Sequence, residues 1–131
     1  MKIIALKKGD KLVQKITEYI EQNKIKSGLI LGLGALQKAT LMLYDLEKKE
    51  YLTKEVEGPL EVANLTAIIA KDPEGKPHIH PHITLANRKF ETFSGHLKEA
   101  TIGATLEIAI LQSDKDIKRY ADSEIGLNLI R

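Results

Sequence analysis

Gly75-Lys76-Pro77-His78-Ile79-His80-Pro81-His82-Ile83-Thr84-Leu85 carries three of the chain's four histidines, spaced at every second position. A strand turns successive side chains to opposite faces. His78, His80, His82 and Thr84 therefore share one face, and Ile79, Pro81, Ile83 and Leu85 share the other, apolar one. Neighbouring histidines on such a face have Cα atoms roughly 6.7 Å apart, close enough for two imidazoles to converge on one metal ion. The fourth histidine, His96, lies in Ser94-Gly95-His96-Leu97, after another expected strand. A His-x-His strand with a distant third histidine is an economical way to build a three-nitrogen metal site. The same residues also allow a solvated histidine row that binds nothing.

Outward from this strand the punctuation is clear. Asp72-Pro73-Glu74-Gly75-Lys76-Pro77 is a loop, and Asn87-Arg88-Lys89 is a turn. Phe90 to Phe93 reads as a short strand, and Ala100 to Leu111 as a long one, with Ile102, Ala104, Leu106, Ile108 and Ile110 on one alternating face. Towards the N-terminus, Leu60 to Ala70 is a long aliphatic strand. Glu61 sits near its start among Leu60, Val62 and Ala63, either at an exposed edge or held for a purpose. Residues 38–46 and 51–56 read as a strand pair joined by the charged turn Glu47-Lys48-Lys49-Glu50.

Gly28 to Leu36 reads as a buried strand ending in a glycine-rich bend. Gly32-x-Gly34 invites a dinucleotide-binding reading, but Gln37 stands where the third glycine is required, and a strand follows rather than a helix. Those glycines instead suit close backbone packing or a bulge. Leu12, Val13, Ile16, Tyr19 and Ile20 recur at helical spacing and predict a helix over residues 10–23, with Gly9-Asp10 supplying the turn and the N-cap. Residues 2–7 form a first strand. In the tail, Ile117, Tyr120 and Ala121 suggest a helical turn, and Ser123 to Gly126 a bend before Leu127–Ile130.

The tally predicts a single α+β domain over residues 1–131. It has about seven largely antiparallel strands and one main helix near the N-terminus. A chain of 131 residues can bury a core of its own. Net charge is +2, from 20 basic and 18 acidic residues, too balanced for the concentrated basic footprint of nucleic-acid binding. Cysteine is absent, which excludes disulfides, thiolate metal sites and thiol nucleophiles and suits a cytoplasmic location. The N-terminal apolar run is too short for a secretory leader, and no segment approaches the ~20 apolar residues of a membrane span.

The ordered motifs resemble the PPC family, the plants and prokaryotes conserved domain. Gly32-x-Gly34-Ala35-Leu36 with Ala39-Thr40-Leu41 is similar to its early motif, and Gly58-Pro59-Leu60-Glu61 to its Gly-x-hydrophobic-Glu segment. Gly75-Lys76-Pro77-x-x-His80-x-His82 resembles its most specific motif, Gly95-His96-Leu97 its Gly-His-Leu, and Arg119 to Leu127 its closing Arg-…-Gly-Leu element. The resemblance implies a compact α+β domain on a twisted sheet or open barrel, assembled as a homotrimer. It implies a metal site at His80, His82 and His96, with His78 as an extra histidine. It also implies a DNA-associated or regulatory role, although no Arg-Gly-Arg-Pro hook core is present.

Three imidazoles and a free position suit zinc first among divalent transition metals, and not magnesium or calcium. Glu61 is then a candidate orienter or general base. Arg119 is either a surface residue or a contact to an anion or another subunit. The competing expectations are a DNA-associated trimer, a small metal-dependent enzyme or small-molecule-binding protein, and an assembly scaffold. Whether the chain is an enzyme stays open at this level.

Overall fold

Three strands run far longer than the glycines and prolines of the sequence suggest. The computed structural model describes residues 1–131 in the order β1 (Lys2–Lys7), α1 (Leu12–Gln22), β2 (Gly28–Asp45), β3 (Glu50–Lys71), β4 (Pro77–Ala86), β5 (Thr92–Gln112), β6 (Arg119–Asp122) and β7 (Leu127–Ile130). β2, β3 and β5 span 18, 22 and 21 residues, where ordinary strands are shorter than about ten. The bend expected to end residues 28–36, the gap expected between residues 56 and 60 and the gap expected between residues 93 and 100 all lie inside continuous strands. Register shifts near Gly34, Leu36 and Lys38 mark where β2 turns. At that bend, a Cβ on Gly103 would stand 2.8 Å from the Leu36 carbonyl carbon and 2.9 Å from the Gln37 nitrogen. Only glycine lets β5 come that close to β2.

The bending lets the sheet close. The strands of this sheet all pair antiparallel, in the order β1-β5-β2-β3-β4, and β4 returns to pair with β5. β2, β3, β4 and β5 thus form a barrel. β1 adds to the distal half of β5, opposite residues 105–110. Its inside is one core of Leu, Ile, Val and Ala, including Ile30, Leu60, Leu65, Ile69, Leu85 and Ile108. β4 follows the alternation of its sequence: Ile79, Pro81, Ile83 and Leu85 are buried, while His78 and His82 are exposed.

α1 packs against β5 and β4 through Leu12, Ile16 and Ile20, the residues that set its helical period. Its start differs from expectation. Asp10 does not cap the helix; its carboxylate accepts the Lys7 N–H at 2.9 Å and closes the turn after β1. The first-turn N–H groups of Val13 and Gln14 donate instead to Glu99 of β5, at 2.7 and 3.2 Å. A carboxylate at this position also meets the positive end of the helix. Glu99→Ala is therefore expected to cost about 1 kcal/mol, as loss of a local cap does, measured by urea melts.

The helical turn expected near 117–121 is absent, because residues 119–122 are extended and pair with 127–130 as a two-stranded sheet. Asp122 organises the reversal, accepting the N–H groups of Glu124 and Ile125 at 3.0 Å each. The hairpin is tied to the barrel by the Tyr44 hydroxyl, which donates to Ile125 O at 2.6 Å, and by Lys49, which donates to Ser123 O at 3.0 Å.

Candidate metal centre

Barrel closure brings the fourth histidine to two of the other three. On β4, His82 is opposed by Thr66 of β3 on one side and by His96 of β5 on the other. His96 is the residue where β5 leaves β4, and across its other edge it pairs with Met42 of β2. Gly95 just before it admits the β2 backbone: a Cβ there would lie 3.0 Å from the Met42 carbonyl oxygen. The His-x-His strand and the distant histidine therefore meet because the sheet curls onto itself.

One ring nitrogen from each of His80, His82 and His96 lies within 4.8 Å of the others. His80 Nε2 and His82 Nε2 are 3.1 Å apart, close to the ~3.3 Å between two nitrogens on a tetrahedral zinc ion. Ring centroids are 4.9, 5.0 and 5.5 Å apart. The donor set is all nitrogen, which fits zinc and its late first-row neighbours. His78 shares the face but stands outside this group.

The electrostatics favour the neutral, ligating form of His80 and His96. Burial pushes His80 down to about 4, assisted by the nearby charges of His96, Arg119, His82 and His78. His96 is lowered by burial, then by His82 and His78. His78 is lowered by burial and Arg119, partly offset by Asp72. Between pH 6.5 and about 4 the unfolded chain thus binds a proton at His80 that the folded chain refuses. Metal-free protein is expected to lose stability as pH falls through that window, with no contribution from this residue above it. Thermal melts in chelator from pH 7 to pH 4 check the direction.

His80 and His96 open into a cleft of about 300 Å³. Tyr51 forms part of its wall, with its ring 5.5 Å from that of His96. Burial and the neighbouring Tyr44 raise the Tyr51 phenol above its ordinary value. The tail hairpin covers the other side through Arg119, Leu127 and Leu129. Asp72 and Glu74 also line the cleft. Arg119 is 7% exposed; its Nη1 donates to Asn128 O at 3.3 Å, its Nε has no partner, and burial lowers its pKa.

Glu61 is not brought to this place within one chain. It is exposed, opposite Ala35 and Ala86, and five residues along β3 from Thr66, about 16 Å at strand rise. Sequence reasoning missed Tyr51 and the tail roof. The Leu127–Leu129 alternation after Gly126 was the available sign of a covering strand.

Comparison with known proteins agrees with this architecture. The profile of the Plants and Prokaryotes Conserved (PCC) domain matches residues 2–114. A candidate DNA-binding protein of Bacteroides thetaiotaomicron superposes with a TM-score of 0.94 at 26% identity, over 98% of this chain and 90% of that one. A metal-containing protein of Archaeoglobus fulgidus gives 0.89 at 32% identity, over 99% and 91%. The bifunctional protein GlmU of Synechococcus sp. (strain JA-2-3B'a(2-13)) is 30% identical over 107 residues, which are 80% of this chain but 16% of that protein. With a matching profile over most of its length and the barrel to go with it, this chain belongs to the plants and prokaryotes conserved domain family.

Proposed function

We propose that this protein is a metal-binding domain in which His80, His82 and His96 hold one divalent transition metal, zinc foremost. A coordination position is then left for an exogenous ligand. The observation that carries the proposal is the convergence of the three ring nitrogens within 4.8 Å. The depressed imidazole of His80 supports it, since only neutral rings ligate. Bound there, the metal supplies a Lewis acid. Residues of the cleft would position what meets it. The metal-containing relative from Archaeoglobus fulgidus adds weight. Elemental analysis of protein purified without chelator or nickel resin tests the proposal, with about one equivalent per chain expected.

A homotrimer and a cytoplasmic location belong to the same proposal. Exposed Ile3, Leu31 and Leu33 line one outer groove of the barrel, and Leu43 and Leu52 another. Such apolar surface suits contact between copies. Light scattering should give three times the 14.6 kDa chain mass. No helix is long and apolar enough to cross a membrane.

DNA association is the second reading, favoured by the description of the Bacteroides relative. The near-balanced charge makes direct binding weak: α1 carries Lys15 against Glu18 and Glu21. Labelled duplex titrated at low and high salt tests this reading: salt-sensitive binding at micromolar protein supports it, and its absence ends it.

A further inference from the structure

We propose that the cleft beside His80 and His96 binds a small monocarboxylate, its carboxylate held by Arg119 and an adjacent carbonyl or hydroxyl oxygen reaching the metal. Only the second anchor rests on the metal reading above.

The argument starts from Arg119. A guanidinium is always charged and offers a fork of N–H donors matched to a carboxylate. Arg119 is more than nine-tenths buried, yet no carboxylate of the chain pairs with it. The chain engages it only through the Asn128 carbonyl, and its Nε is buried without any partner. A buried, unpaired cation is costly, and natural sites of this kind are completed by an anion. The fold keeps this cation in the wall of the same cleft as His80 and His96.

The lining selects the class. A volume of about 300 Å³ leaves ample room for a molecule of a few heavy atoms. Leu127 and Leu129 add apolar wall, which suits a short carbon chain. Asp72 and Glu74 line the same cleft and repel a dianion more than a monoanion. The Asp72 carboxylate is partly taken up by the Lys76 N–H at 2.9 Å, while Glu74 is exposed. The one guanidinium of the cleft offers a single positive charge, enough to pair a monoanion. A phosphate would need more cations than the cleft provides.

The test is a titration of ¹⁵N-labelled protein, zinc-loaded and metal-free, with pyruvate, inorganic phosphate and acetone. Pyruvate should move the Arg119 Nε–H cross-peak and saturate below about 10 mM in the zinc form, and bind roughly tenfold more weakly without metal. Acetone should not move it. Arg119→Lys, with zinc retained and a dispersed spectrum, should weaken pyruvate at least about tenfold, because the fork is lost while the charge remains. Should that variant fail to fold, the wild-type cross-peak decides alone. If zinc does not bind but pyruvate still moves the peak, the metal reading fails and the carboxylate pocket stands. If zinc binds and pyruvate moves nothing, or phosphate binds more tightly than pyruvate, the proposal is overturned.

Discussion

His96→Ala is expected to remove the metal and leave the barrel folded. The residue supplies one of three converging nitrogens, and the only one from β5. Removing an outer partner of a metal ligand already costs 10- to 100-fold in affinity, so loss of a ligand should cost at least about a hundredfold. The fold depends on it little. His96 is half-buried, and the core beside it is made by Leu97, which points inward. Alanine also relieves the crowding of desolvated imidazoles that depresses His80. Metal-free stability should therefore change by less than about 1 kcal/mol. The stabilisation that wild type gains from metal, about 2.7 kcal/mol at a hundredfold excess over Kd, should vanish. Thermal melts with and without zinc separate the two effects in one experiment.

Ile83→Ala should do the reverse. Ile83 is the residue after His82, so it faces the other side of the same strand, 2% exposed and within the barrel core. Truncating a buried isoleucine to alanine removes its burial energy and leaves a cavity, about 2–5 kcal/mol together. For a domain of this size that lowers Tm by roughly 10 °C. The variant that still folds should bind zinc with an affinity near wild type, because the backbone pairing of His82 with His96 does not use the Ile83 side chain. Adjacent residues would thus separate stability from ligation. Equal losses of both in both variants would mean that the histidine face and the core are not independent.

The contrast explains what was legible in the sequence. Period-two alternation at 77–86 fixed which side of β4 is buried, because burial and polarity agree residue by residue there. The period of Leu12, Ile16 and Ile20 located α1 for the same reason. The motif set, with His96 after Gly95, pointed to the third histidine. Strand length was not legible. Strands were expected to stop near Gly34, Gly58 and Gly95, yet another strand's backbone approaches Gly34 and Gly58 too closely for a side chain and packs tightly on Gly95, a fact of tertiary packing. The cap on α1 was hidden for a similar reason: Glu99 lies 86 residues from Val13, beyond any local pattern. Arg119 read as a surface residue or a contact to an anion or another subunit because its burial comes from pairing of the tail strands around it. Glu61 stood out by its apolar neighbours, but its side chain is exposed and far along β3 from the histidines.

The most direct measurement is X-ray absorption at the zinc edge on zinc-loaded protein. Three imidazole nitrogens at about 2.0 Å, with their ring scattering, and a lighter oxygen completing the shell are the expected result. A shell of oxygens without imidazole scattering, or a protein that takes up no zinc at stoichiometric concentration, would contradict the account at its centre.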